Sequence, residues 1–142
     1  MRALLDINVL IALLDADHIH HHRARVWFET HVRQGWASCP LTQNGCVRVM
    51  SQPVYPNPLP AAEVILRLGK AINAPQHRFW PDDISILDEN IADRTRIHGP
   101  RQITDLYLVA LAMKHGGRFA TFDNRIVLSA LHGVKKEHLA IV

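Results

Sequence analysis

Short runs of apolar residues alternate along this chain with longer stretches in which apolar positions recur at helical spacing. The short runs predict buried β-strands, because strands covered on both faces carry nearly continuous apolar sequence. We expect strands at residues 2–6, 36–38, 77–80 and 118–122, and a fifth at residues 141–142.

The longer stretches predict six helices. The clearest pattern spans residues 102–115, where Leu106, Val109 and Met113 lie on one helix face and a Gly-Gly pair follows the last turn. The remaining helices are expected at residues 9–14, 20–33, 42–50, 61–71 and 88–96.

Strands that alternate with helices of about a dozen residues indicate βαβ units, in which a helix connects two parallel strands. We therefore predict an α/β fold with a short, mostly parallel sheet of four or five strands flanked by helices. The 142 residues suit a single domain spanning residues 1–142. The proline-rich segment 52–60 is expected to be a rigid loop within that domain.

Composition and charge change this picture little. A hydrophobic fraction of 48% and a charged fraction of 20% are ordinary for a globular protein, and a net charge of +3 mildly favours an anionic partner. Cys39 and Cys46 are too few for a disulfide framework and indicate a reduced, cytoplasmic protein in which both are core residues. We expect no membrane association, because the longest apolar run, residues 106–113, is too short to cross a bilayer.

Three aspartates are the strongest chemical signal. Asp6 ends the first predicted strand, Asp123 follows the fourth, and Asp105 lies in the first turn of the helix that leads into the fourth. If the first and fourth strands are neighbours, the three carboxylates converge at one edge of the sheet. Such a group is best kept ionised by a divalent cation, and an all-oxygen ligand set suits Mg²⁺ or Mn²⁺ rather than Zn²⁺.

Each aspartate alone also has a structural interpretation. Asp6 is a plausible helix N-cap, Asp105 complements the dipole of its helix, and Asp123 precedes Asn124 in a turn-like sequence. Their common edge favours the functional interpretation over the three separate ones.

Three segments carry a resemblance to a known family. These are Leu-Leu-Asp-Ile-Asn-Val-Leu at residues 4–10, Ile-His-Gly-Pro-Arg-Gln-Ile-Thr-Asp-Leu-Tyr-Leu at 97–108, and Thr-Phe-Asp at 121–123. Together they resemble the motifs of the VapC-type toxins of the PIN-domain family.

The resemblance implies a PIN-like, Rossmann-like three-layer sandwich and a ribonuclease that uses Mg²⁺ or Mn²⁺. It implies a toxin–antitoxin pair, with a small antitoxin protein as partner, RNA as substrate and a homodimer as the assembly. It assigns metal binding and catalysis to Asp6, Asp105 and Asp123, with Asn8 and Thr104 as polar support.

One position departs from the family pattern. The family commonly has an acid in the helix after the second strand, where this chain has Gln43. An amide oxygen can ligate a hard cation but carries no charge, so Gln43 should hold Mg²⁺ less tightly. The alternative to an active nuclease is therefore a weak or inactive PIN scaffold that binds RNA or an antitoxin without cutting.

Cationic residues near Asp105 are candidates for holding RNA phosphates, since such contacts need charge rather than base recognition. These candidates are Arg94, Arg96 and Arg101. A further cluster, residues 18–22, contains four histidines; we interpret them as helix-entry residues rather than a Zn²⁺ site, because consecutive residues do not share a helix face.

A second enzyme class would use Asp6 as a phosphoryl-accepting nucleophile, as in haloacid-dehalogenase-type sites. That chemistry needs another aspartate two residues later, where this chain has Asn8. The sequence therefore favours the nuclease.

Overall fold

Five short parallel strands form one sheet in the computed structural model, which describes residues 1–142. The strands lie side by side in the order β3-β2-β1-β4-β5. In chain order they are β1 (Ala3–Leu5), β2 (Trp36–Ser38), β3 (His77–Phe79), β4 (Arg118–Thr121) and β5 (Leu139–Ile141).

Five α-helices cover the two faces of this sheet. In chain order they are α1 (Ile7–Leu14), α2 (His21–His31), α3 (Pro40–Met50), α4 (Ala61–Ile72) and α5 (Ile103–Lys114). Helices α1 to α4 pack on one face, and α5 packs on the other together with loop segments around residues 80–92 and 126–134. The predicted α/β three-layer sandwich is therefore confirmed.

The central strand β1 is buried on both faces. Successive strand residues point to opposite sides of a sheet, so Leu5 enters the core beneath α1 to α4 and Leu4 enters the core beneath α5. Both side chains are 0% exposed. This two-sided burial explains why the first strand reads as continuous apolar sequence.

Most predicted elements are found, with shifted ends. Helix α3 begins at Pro40, two residues before the predicted start, because proline suits the first turn of a helix and the Thr42 hydroxyl accepts a hydrogen bond from the Cys39 amide. The last strand is Leu139–Ile141 rather than residues 141–142. Cys39 and Cys46 are both buried and free, as expected.

The predicted helix at residues 88–96 is wrong. Asp88 and Asp93 instead accept hydrogen bonds from the backbone amides two residues later, at Asn90 and Thr95. Such local side-chain bonds offer the backbone an alternative to the helix, and only a single 3₁₀ turn, Arg94–Arg96, forms.

No helix of the structure is both long enough and apolar enough to cross a membrane.

Gly117, directly before β4, allows β1 and β4 to approach. A Cβ atom at this position would lie 2.5 Å from the Arg2 carbonyl oxygen and 2.6 Å from the Trp80 ring. We expect Gly117→Ala to lower the free energy of unfolding by about 1–3 kcal/mol, as overpacking against backbone does. Urea denaturation measures this change.

Gly69 on α4 provides the matched control, because a Cβ atom there has no heavy atom within 4 Å. Gly69→Ala should raise the free energy of unfolding by about 0.5–1 kcal/mol through helix propensity. A Gly117→Ala protein as stable as the parent would contradict the described approach of the two strands.

Candidate functional site

The candidate site lies at the carboxyl edge of β1 and β4. These strands pair in parallel, with Leu5 opposite Ala120, so both chains leave the sheet on the same side. The Asp6 amide continues the pairing by donating to the Ala120 carbonyl at 2.9 Å. Asp6 therefore lies one residue beyond β1, and Asp123 two residues beyond β4.

All three predicted aspartates line one open cavity of about 550 Å³. Asp105 reaches it from the first turn of α5. Asn8 and Thr104, which the family resemblance suggested as polar support, line the same cavity. The convergence expected from the strand order is thus present in the structure.

Asp6 is the most enclosed of the three carboxylates, at 8% exposure. Burial raises its pKa, and the nearby Asp123 charge adds to the rise. A hydrogen bond of 2.7 Å from the Thr121 hydroxyl opposes the rise and fixes the direction of one carboxylate oxygen. No lysine, arginine or histidine lies at ion-pair distance.

Asp105 has neither an ion-pair partner nor a hydrogen bond to its carboxylate. Burial raises its pKa to about 6, with further contributions from the charges of Asp6 and Asp123. The Asp105 carboxylate therefore has no cationic partner that would offset the repulsion from these two neighbouring carboxylates.

The Asp123 carboxylate differs from the other two because it forms an ion pair with Arg125. Its Oδ1 accepts hydrogen bonds from the Arg125 backbone amide at 2.8 Å and from the Arg125 Nε at 3.2 Å, which hold its pKa below the usual range. Arg125 was not anticipated from the sequence. The Asp-Asn-Arg order after a strand is typical of a turn, and this signal could have identified Arg125 as a partner of Asp123.

The donor chemistry of the cavity fits a hydrated hard cation. No three His, Cys, Asp or Glu side chains stand close enough to enclose an ion by themselves. Mg²⁺ in proteins usually keeps several waters and is held by one or two carboxylates, so a closed cage is not required. Asp6 and Asp105 could supply those carboxylates, with Asp123 at the same cavity.

Gln43 does not reach this cavity. Its amide nitrogen donates to the Ser38 hydroxyl at 2.9 Å, and its side chain lines a separate small cavity between α3 and α4. Val49, further along α3, lines the carboxylate cavity instead. Sequence spacing alone did not indicate which residue of α3 faces the site.

The predicted cationic residues divide into two groups. Arg101 lines an adjoining cavity of about 220 Å³ together with Asp105 and Asp123. Arg94 and Arg96 are exposed and line neither cavity, and Arg96 pairs with Asp93 at 3.5 Å.

The histidine-rich segment contacts the site through Phe122, which sequence reasoning left unassigned. The Phe122 ring lines the carboxylate cavity, and the His20 ring lies 5.0 Å from it between centroids. The histidines form no metal cluster.

The chain matches the family model described as "PIN domain" over residues 3–130. It is also similar over nearly its full length to curated ribonucleases of Mycobacterium tuberculosis. It is 55% identical to ribonuclease VapC44 over 140 residues, covering 99% of both chains. It is 40% identical to ribonuclease VapC39 over 135 residues, covering 94% of this chain and 97% of the relative.

Among solved structures, the chain resembles Mycobacterium tuberculosis VapC20, which is described as a sarcin–ricin-loop-cleaving toxin. The TM-score is 0.59, with 93% of this chain and 98% of the other covered. At 10% sequence identity this likeness shows the fold alone.

We expect Asp105→Asn to stabilise the protein at about pH 8 when divalent cations are absent. The folded protein keeps the Asp105 proton up to about pH 6, whereas the unfolded chain releases it at the ordinary pKa of 3.8. The ionised carboxylate therefore opposes folding above pH 6, and this penalty is lost as the pH falls from 6 towards 4. With allowance for solvent screening, the gain at pH 8 should be about 1 kcal/mol.

Urea unfolding at about pH 4.5 and pH 8 measures this difference. Glu89→Gln is the control, since Glu89 is exposed and its side chain makes no hydrogen bond or ion pair. An equal gain for Asp105→Asn at both pH values would show that its pKa is not raised.

Proposed function

The chain belongs to the PIN-domain family, and from that premise we propose that it is an endoribonuclease that hydrolyses RNA phosphodiester bonds with Mg²⁺ or Mn²⁺. We assign the cation to Asp6, Asp105 and Asp123. The observation that carries this assignment is the single cavity shared by these carboxylates, two of which lack any cationic partner. The curated ribonucleases that match nearly the whole chain support the RNA substrate.

A bound divalent cation supplies positive charge to the phosphodiester and makes water a better nucleophile at neutral pH. The Thr121 hydroxyl donates a hydrogen bond to the Asp6 carboxylate and thereby fixes its orientation. Asp105, whose carboxylate has no ion-pair partner, lines the same cavity and is placed to help hold the cation and to accept a proton from the attacking water.

Two arginines near the cavity are suited to hold RNA phosphates next to the cleavage point. Arg125 lines both the carboxylate cavity and the adjoining cavity, and Arg101 lines the second. Phosphate contacts of this kind position the strand without reading its bases. Arg94 and Arg96 lie outside both cavities and would contact only more distant parts of an RNA.

We further assign the chain to a toxin–antitoxin pair and expect it to form a homodimer.

A scaffold that binds RNA or an antitoxin without cutting is the second candidate. Two observations favour it: Gln43 points away from the cavity, and Arg125 occupies one oxygen of Asp123. Cleavage by the purified protein decides between the two functions.

We expect the purified protein, free of any partner, to cleave RNA in the presence of Mg²⁺ or Mn²⁺. Addition of EDTA should stop this cleavage. Asp6→Asn and Asp105→Asn should each reduce the cleavage rate at least about 100-fold, because the charge stabilisation supplied through a metal amounts to several kcal/mol. Glu89→Gln should retain the parental rate. The rate is measured on gels with end-labelled RNA.

Thermal unfolding in the same proteins separates loss of the cation from loss of the fold. Mn²⁺ should raise the unfolding temperature of the parent and of Glu89→Gln, since binding to the folded state alone stabilises it. It should have little effect on Asp6→Asn. A correctly folded Asp6→Asn protein that still cleaves RNA would refute the assigned site.

The toxin role predicts that expression of the chain arrests bacterial growth and that Asp6→Asn does not. Co-expression of the small protein encoded on the same transcript should restore growth and form a complex that can be purified with the chain. Light scattering of the isolated chain should give twice its mass of 16.1 kDa. Growth arrest of equal strength by Asp6→Asn would show that the toxicity does not depend on the proposed nuclease site.

A further inference from the structure

Phe122 connects the carboxylate cavity with the beginning of α2. Phe122 lines the cavity and directly precedes Asp123 in the chain. Two side chains from the start of α2 contact the same ring: His20, at a centroid separation of 5.0 Å, and Arg23, whose guanidinium carbon lies 5.3 Å from the ring centroid. The candidate site and the histidine-rich segment therefore share one aromatic side chain.

Arg23 is a cation without an acidic partner. It is exposed, and no carboxylate lies within ion-pair distance of its guanidinium. Arg25, two residues later, shows the contrast, since it pairs with Glu29 at 2.8 Å. A free guanidinium beside a site proposed to act on a polyanion is available for a phosphate of that polyanion.

His18 and His21 each make a hydrogen bond within or beside the segment. The His18 Nδ1 accepts a hydrogen bond from the His20 amide at 3.0 Å, and the His21 Nδ1 lies 2.7 Å from the Ala12 carbonyl oxygen. His20 is the member of the segment whose ring packs on Phe122. His20 and the neighbouring Arg23 thus lie against Phe122, beside the cavity, and the histidines form no cluster of metal ligands.

We propose that Phe122, His20 and Arg23 form a subsite for one nucleotide of single-stranded RNA next to the scissile phosphate. A base would stack on the Phe122 ring in the place that the Arg23 guanidinium now occupies, beside the His20 ring, and Arg23 would pair with the adjoining phosphate. Aromatic and arginine side chains bind unpaired RNA in this way, with little dependence on base identity. This inference rests on the proposed nuclease function and identifies the direction in which the strand leaves the cavity.

The test measures the affinity of the full chain for fluorescein-labelled oligouridine by anisotropy, with EDTA present to prevent cleavage. Arg23→Gln should weaken binding about 5-fold or more and reduce the slope of log K against log salt concentration by about 0.7, the value for one phosphate contact on a single strand. Phe122→Leu should weaken binding by about 5-fold or more. Phe122→Tyr, which keeps the ring, should bind like the parent.

Two controls distinguish the subsite from general charge or folding effects. Arg33→Gln removes another exposed arginine, which lies in the 3₁₀ turn after α2. This substitution should leave both the affinity and the salt slope unchanged. An oligomer of abasic ribose phosphate should lose affinity with Arg23→Gln but not with Phe122→Leu. A merely structural role for Phe122 would weaken binding to both oligomers equally.

The outcomes separate this subsite from the nuclease assignment. If the parent cleaves RNA but Arg23→Gln and Phe122→Leu bind oligouridine as the parent does, the subsite is wrong and the nuclease stands. If the parent binds with the expected dependence on both residues but never cleaves, the subsite stands and the nuclease is wrong. Failure of the parent to bind oligouridine at all would overturn the subsite.

Discussion

The parallel pairing of β1 with β4 is the constraint on which the site depends. It places Leu5 opposite Ala120 and so brings Asp6 and Asp123 to the same edge of the sheet. Full burial of Leu4 and Leu5 stabilises this arrangement by roughly 1.5–3 kcal/mol for each side chain. The same arrangement brings like charges together, and the raised pKa values of Asp6 and Asp105 reflect their burial and this proximity.

The three carboxylates are not equivalent, and the differences bear on how a cation would enter. Asp6 is oriented by Thr121, Asp105 is without a partner, and Asp123 is bound by Arg125. The Arg125 side chain is 86% exposed, and ion pairs so exposed contribute about 0–1 kcal/mol. A divalent cation or an RNA phosphate can displace so weak a contact, so the Asp123–Arg125 pair does not argue against the proposed chemistry.

Sequence patterns predicted the layers of this fold because layers follow from periodicity. The apolar run ending at Asp6 indicated a buried strand, and the convergence of the aspartates was predicted on the condition that the first and fourth strands are neighbours, which the structure shows. Local competition was harder to foresee: Asp88 and Asp93 bond their own backbone and prevent the helix predicted there. The role of Phe122 as a link to α2 depends on contacts between segments far apart in sequence, which periodicity does not describe.

The position of Gln43 follows from a buried polar pair on the neighbouring strands. The Gln43 amide donates to the Ser38 hydroxyl, which leaves the hydroxyl proton free to reach the His77 Nε2 at 2.8 Å. Burial lowers the pKa of His77, which favours the neutral imidazole as the partner of Ser38. A carboxylate at position 43 could not donate to Ser38, so the hydroxyl would have to donate to it and His77 would have to donate to the hydroxyl. The Gln43 amide is therefore engaged by the Ser38–His77 pair rather than by the cavity. The negative charge of the cavity consequently rests on Asp6, Asp105 and Asp123.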